Sequence, residues 1–316
     1  MSRDFLLQLG QMFLVLALAP LLTGFVRKMK ARLQQRRGPS LLQPYRDLKK
    51  LLRKEAVIAD NASWLFRVSP YLIFAATWAA ASLVPTFATG LTFSVSADLI
   101  AIVALLGSAR FFLALAGLDV GTTFGGIGSS REVMIASLAE PALIIVAFTL
   151  ALIAGSTQLS VIAAFMTSGN VGLRVSLGLA LAALIIVAIA ENARVPVDNP
   201  ATHLELTMVH EAMVLEYSGR HLAVIEFAGS LKLLLYVSLI AAVFLPWGLA
   251  TPGSAPSQYA IGIVAFIGKL TFAGMLLAVF ETTIAKMRVF RVPEFLGISL
   301  MLALLGALLM FVTRSL

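Results

Sequence analysis

Eight apolar runs, each long enough to cross a bilayer, occupy most of this chain. They lie at roughly 5–26, 69–88, 97–117, 133–154, 173–190, 227–248, 259–280 and 294–313, and about 20 apolar residues are needed for a helix to span the hydrocarbon core. Surface of that kind cannot be buried around a single aqueous core. Hydrophobic residues make up 59% of the sequence and charged ones 13%, where soluble domains average about half and about a quarter. The expected fold class is all-α: a polytopic integral membrane protein of about eight transmembrane helices, forming a single membrane domain over 1–316. The first run is too long for the apolar core of a signal peptide and no small-residue cleavage site follows it, so it is expected to remain as a helix.

The placement of charge sets the orientation. Residues 27–67 hold twelve of the 24 Lys and Arg, whereas the loops at 89–96, 155–172 and 249–258 hold none. Arg110, Arg131, Arg194, Arg220, Lys232, Lys286, Arg288 and Arg291 are counted on the same side as the basic segment. Basic loops stay in the cytoplasm, so both termini are expected on the periplasmic side of a prokaryotic inner membrane. The formal charge of +8 is then a topology signal, and no nucleic-acid partner is needed to explain it. The partner it implies is the lipid bilayer.

The chain has no cysteine. That excludes thiolate zinc sites, iron–sulfur clusters and covalent haem attachment on this polypeptide. No cofactor is expected in the chain itself, and redox groups would sit in partners.

Titratable chemistry is concentrated in one stretch. "ENARVPVDNPATHLELTMVHEAMVLEYSG", from Glu191 to Gly219, carries five of the sixteen carboxylates and two of the three histidines. Pro196 and Pro200 make the part around Asp198 irregular, and Thr202 to Tyr217 can be read as a helix. On a 100° wheel Glu205 and Glu216 align, as do His203 and His210 on roughly the opposite face. A metal site at His203, His210 and Glu211 is disfavoured, because histidines seven apart sit about two turns from each other. A solvated helix explains the polarity but not the interleaved Met208, Val209, Met213, Val214 and Leu215. A partly buried carboxylate network at Glu191, Asp198, Glu205, Glu211 and Glu216, tuned by Arg194, explains both and is suited to passing protons.

Charge also occurs inside the apolar runs. Arg110, Glu140 and Lys269 fall well within them and Glu281 at an inner end. An ionisable group near the bilayer centre costs at least about 2.5–3.5 kcal/mol and faces protein or water. For Glu140, followed by Pro141, a proton or ion role competes with a structural partnership to Arg110. For Lys269, a functional role competes with snorkelling.

The first basic loop reads "RRGP", then "LQPYRDLKKLLRKE". Pro44 suits a first helical turn, and Leu41, Tyr45, Leu48 and Leu52 form one apolar face. A helix lying on the anionic leaflet is one reading; a docking platform for a soluble partner is the other. These residues resemble the first cytoplasmic loop of the quinone-site membrane subunit of respiratory NADH:quinone oxidoreductase. They resemble still more the corresponding subunit of formate hydrogenlyase and other energy-converting nickel–iron (NiFe) hydrogenases, whose eight-helix plan covers the whole chain.

The resemblance extends to "GGIGSSREVMIASLAEP", where Arg131, Glu132 and Glu140 match an Arg-containing loop followed by a proton-transfer glutamate. It extends to Glu191, Asn192, Arg194, Pro196, Asp198 and the closing Glu216-Tyr217-Ser218-Gly219, and to Arg288, Arg291 and Pro293 before the last helix. It implies a membrane anchor and coupling subunit that links electron transfer in a cytoplasmic arm to proton or sodium translocation, doing no bond-making chemistry alone. The implied proton path runs through Glu140, Glu191, Asp198, Glu205, Glu211, Glu216, Arg110, Arg194, Lys269 and Glu281. The implied docking positions are Arg36, Arg37, Gln43, Pro44, Asp47, Lys50, Glu55, Arg131, Tyr217, Arg288 and Arg291, within 27–67 and 191–225 and their neighbours. The partners would be a hydrogenase-like large subunit, an iron–sulfur small subunit and antiporter-like membrane subunits, with iron–sulfur clusters and a nickel–iron centre held by the soluble partners. Val197 stands where these relatives carry Phe, and Thr202 or His203 replaces one of their acids. That remodelling favours the hydrogenase reading over a quinone-binding membrane subunit. A stand-alone transporter would show inverted repeats, which the sequence lacks.

Overall fold

The computed structural model describes residues 3–167, 175–198 and 208–315. Its elements are α1 (Arg3–Leu33), α2 (Gln43–Leu52), α3 (Trp64–Leu83), α4 (Leu99–Asp119), α5 (Thr123–Ala154), α6 (Leu159–Thr167), α7 (Val175–Glu191), α8 (His210–Val214), α9 (Gly219–Phe244), α10 (Pro256–Thr283) and α11 (Val292–Ser315). Each of the eight expected spans falls on one of the longer helices. Among the described residues six of these, α1, α4, α5, α9, α10 and α11, are long and apolar enough to cross a membrane by length and composition. The 17-residue α7 is a shorter apolar helix. Arg67, Ser69, Pro70 and Tyr71 leave α3 less apolar than the six.

Local chemistry fixes the boundaries. Ser63, Asp98 and Thr122 cap α3, α4 and α5 by accepting from the amides of Leu65, Ile100 and Gly125, which satisfies first-turn donors that have no helical partner. Pro44 and Pro256 open α2 and α10, where the missing amide costs nothing. Two isolated bridges, Ala88 to Ala250 and Asp98 to Gln158, tie together the loops at the end of the bundle opposite the basic loop.

Helices α3, α4, α5, α7 and α9 close into a ring; α11 packs outside on α5 and α7, while α1 lies on α9 and α10 packs on α1 and, less closely, on α9. The core runs through the ring and onto α1 and α11, with Ile102, Leu184, Leu234 and Leu296 fully enclosed and Leu143 buried beside them.

Several expected boundaries move. Helix α5 begins at Thr123, so Arg131 and Glu132 sit on a helix rather than in a loop. Helix α9 begins at Gly219, which takes 219–225 out of the expected acidic loop. Between Thr202 and Tyr217 the described helical part is only His210–Val214; His203 and Glu205 lie outside the described residues. Arg110 lies well inside α4, as expected, and Lys232, counted with the basic loops although it falls within the expected span 227–248, lies well inside α9.

Candidate functional site

The site is built around the end of α7, whose last residue, Glu191, lies inside the ring at 8% exposure. Arg110 is nine residues before the end of α4, roughly 13 Å deep at 1.5 Å per residue. Its guanidinium meets three carboxylates. Nε lies 3.2 Å from Glu132 Oε1, Nη1 donates to Glu140 Oε1 at 3.3 Å, and Nη2 contacts Glu191 Oε1. The other oxygen of Glu191 takes Lys232 Nζ at 2.8 Å. Four helices thus contribute to one buried network of two cations and three anions.

The three carboxylates are not equivalent. The side chains of Arg110 and Glu191 are each 4% exposed and that of Glu132 is 11%, whereas Glu140 is 41% exposed. Glu140 is therefore the open edge of the network, with Gly107 leaving room beside it: a Cβ there would sit 3.7 Å from Glu140 Oε1. Tyr236, one turn beyond Lys232, is buried close enough to Arg110 and Glu140 to interact with them. Its hydroxyl has no hydrogen-bond partner among the described residues.

Two further ion groups lie nearer the basic end. Glu281 is held by Lys30 at 3.1 Å and Arg194 at 3.2 Å, joining α1, the connector after α7 and α10. Asp198 accepts from Lys286 at 2.8 Å and from the amides of Val209 and His210. Arg131 donates to the Met208 carbonyl at 2.6 Å and the Met287 amide to the Pro196 carbonyl at 2.9 Å. Val195, Val197 and Asp198 are each no more than 5% exposed, so irregular backbone enters the bundle only where protein covers it.

The Glu216-Tyr217-Ser218-Gly219 run joins this region to the first basic loop. The Tyr217 ring stacks on Phe66 with centroids 3.9 Å apart, and its hydroxyl donates to the Phe66 carbonyl at 3.0 Å. Burial pushes the phenol above its ordinary value and nearby Asp119 adds to the effect, which keeps it a donor. Ser218 accepts from the Val57 amide and donates to the Val57 carbonyl. At Gly219 φ is +51° and a Cβ would lie 2.4 Å from the Glu55 carbonyl oxygen, so only glycine fits there.

The expected proton-path residues therefore divide. Arg110, Glu140 and Glu191 meet in one network, Arg194 and Glu281 in a second, and Asp198 in a third. Glu211 lies in the first turn of α8 and Glu216 precedes Tyr217, both half-buried. Lys269 stands apart: it donates to the Trp247 carbonyl at 2.6 Å and lies 5.3 Å from the centre of that ring. Of the docking positions, Arg36, Arg37, Lys50, Glu55, Arg288 and Arg291 are exposed, and Gln43 donates to Asp47 at 2.8 Å. Tyr217 and Pro44 are buried and brace the surface from within; Arg131 is half-buried on the Met208 carbonyl. Sequence reasoning misses Lys232, Lys30, Lys286 and Tyr236 as site residues. Lys232 carries a signal, since "SLKLLLYV" puts a lysine inside an apolar run just as "GKLTF" does for Lys269. Among the described residues no group of three or more His, Asp or Glu is arranged to hold a metal ion.

Comparison with known proteins fits this arrangement. The chain is 35% identical to formate hydrogenlyase subunit 4 of Escherichia coli over 284 residues, 90% of this chain and 91% of the relative. It is 36% identical to hydrogenase-4 component C of the same organism over 281 residues, 89% and 87% of the two chains. One subunit of the NADH-quinone oxidoreductase of Thermomicrobium roseum is 29% identical over 268 residues, 75% and 76%. The fold matches a chain in a solved structure of the membrane-bound sulfane sulfur reductase, an archaeal respiratory membrane complex, with a TM-score of 0.78 at 20% identity, covering 97% and 99%. The family described as NADH dehydrogenase matches residues 7–313, and the chain belongs to that family.

Proposed function

We propose that this chain is the membrane anchor and coupling subunit of an energy-converting, formate-hydrogenlyase-like hydrogenase complex. The observation that carries the reading is the buried network on Arg110. Three carboxylates share two cations, so one proton brings the group to neutrality, and the carboxylate best placed to exchange it is Glu140, the most open of the three. Charge entering or leaving nearby shifts that balance, which is how an electron arriving in a docked arm becomes a proton taken up in the membrane.

In this reading the basic end faces the cytoplasm. The exposed residues Arg36, Arg37, Lys50, Glu55, Arg288 and Arg291 receive a hydrogenase-like large subunit and an iron–sulfur small subunit, which hold the iron–sulfur clusters and nickel–iron centre. In this reading the Asp198 and Glu281 groups relay protons between that surface and Arg110, and Glu211 and Glu216, together with Glu205 (outside the described residues), belong to the same relay. Antiporter-like membrane subunits accept the protons, or sodium ions, beyond Glu140. Lys269 has its place on the side of α10, outside the network.

The test is Glu140→Gln in the intact complex reconstituted into vesicles. Hydrogen evolution is expected to persist within about twofold while ion translocation falls by roughly 10²-fold, the scale on which a positioned proton-transfer group acts. Unchanged translocation would remove Glu140 from the path. The quinone-binding reading has one observation in its favour, a cavity of about 230 Å³ between α1, α2 and α9 that Arg27, Asp47 and Glu226 line. Quinone reduction without hydrogen evolution by the purified complex would move the assignment there.

A further inference from the structure

Helix α10 rests on α1 and parts from α7, and the gap is a cavity of about 510 Å³ between α7, α9 and α10. Its walls are apolar: Ile185 from α7, Leu233, Val237 and Ile240 from α9, Phe272 and Leu276 from α10. It opens sideways, where Phe272 is 59% and Leu276 55% exposed. A void of this chemistry does not hold water. Left empty it forfeits dispersion contacts along its whole lining, and in a bilayer the neighbours able to fill it are hydrocarbon chains.

Length and charge narrow the occupant. Along α10 the lining runs from Lys269 to Thr283, fourteen residues or roughly 21 Å at 1.5 Å per residue, which suits one extended acyl chain. The mouth at the basic end is polar, formed by Asn192, Arg194 and Thr283. Among the described residues no Asp or Glu lines the cavity, and the charged ones that do are Arg194 and Lys269. Arg194 and Lys30 share the single carboxylate of Glu281, so among the described residues one positive charge of that group is unmatched. A guanidinium suits a phosphate because its planar donors match the oxygens.

We infer that this groove is a binding site for an anionic phospholipid of the leaflet at the basic end. One acyl chain lies between α9 and α10, and the headgroup phosphate sits at Arg194. The lipid completes the packing of α10 against the ring, which the protein alone leaves open.

The experiment uses the full chain extracted from its membranes and washed exhaustively in mild detergent, with retained lipid identified by mass spectrometry. About one anionic phospholipid per chain is expected. Filling the groove from either wall, with Ala188→Phe or Ala273→Phe, should cut retention at least fivefold. Val264→Phe, on an exposed part of α10 away from the groove, should leave retention unchanged. If neither filled variant folds, the wild type decides alone: phosphatidylglycerol added to the delipidated protein should raise its Tm by several degrees more than phosphatidylcholine does. A retained quinone, equal stabilisation by the two phospholipids, complete loss of lipid on washing, or undiminished retention in a folded filled variant would each overturn the inference.

Discussion

Arg110 faces three carboxylates at once, and the energetics of that arrangement decide what each change should do. An ion pair at 3.2 Å is worth roughly 5 kcal/mol at an effective dielectric of 20, against a desolvation cost of several kcal/mol per buried ion. No single pair stabilises the bundle strongly, but the charges depend on one another. Arg110→Met should therefore be severe: it leaves Glu132, Glu140 and Glu191 facing only Lys232, a loss of about 3–5 kcal/mol by comparison with other broken buried pairs. Thermal unfolding of the purified chain checks this, and a shift no larger than that of a surface arginine such as Arg46→Met would show that the network bears little of the stability. Adding Glu132→Gln and Glu140→Gln to Arg110→Met should recover much of the loss, because Glu191 and Lys232 then remain as a neutral pair. Glu140→Gln alone is expected to be mild, since its side chain is 41% exposed and Arg110 keeps two carboxylates.

At the scale of elements, the register between α4 and α5 holds Arg110 against Glu132 and Glu140. A Cβ on Gly125 would stand 2.1 Å from the Gly117 carbonyl oxygen, and Ser129 donates across the same joint to the Ala114 carbonyl at 2.8 Å. Gly125→Ala must push the helices apart, which costs about 1–3 kcal/mol in a packed interior. Gly126→Ala, where a Cβ meets nothing within 4 Å, should instead stabilise by roughly 0.5–1 kcal/mol through helix propensity. Opposite shifts in Tm at adjacent positions are the expected result, and equal shifts would show that the joint is not tight. This closeness also marks the limit of sequence reading. The eight long helices are legible because apolar length needs no partner to be seen, and Arg110 and Glu140 because charge stands out against it. Lys232 falls inside the expected span 227–248 yet is counted with the loop charges, because the carboxylate that holds it there, Glu191, lies on another helix. Glu191 is visible as a helix end, but its burial against Arg110 and Lys232 depends on helices far away in sequence, which only packing reveals. The binding of Tyr217, Ser218 and Gly219 to Phe66, Val57 and Glu55 joins segments about 150 residues apart, a relation no local pattern encodes.

At the scale of the whole molecule, the odd feature is that so much charge sits at one end. Twelve of the 24 basic residues lie in 27–67, and the described helices bring Arg194, Lys286, Arg288 and Arg291 to the same end. With the cell interior negative, each positive charge kept inside is favoured by about 2.3 kcal/mol per 100 mV, so a dozen charges outweigh any preference of the loops at the other end, which carry almost none. This asymmetry supports the proposed orientation, in which both termini are outside and the docking surface inside. The absence of cysteine makes it directly measurable, because any thiol introduced is the only one in the chain. Ser257→Cys, at the exposed start of α10, should react with an impermeant maleimide in intact spheroplasts; Lys49→Cys, on the exposed face of α2, should react only after permeabilisation. The opposite pattern would turn the molecule over, put the basic surface out of reach of any cytoplasmic arm, and take the coupling proposal with it, while leaving the Arg110 network as a structural clamp.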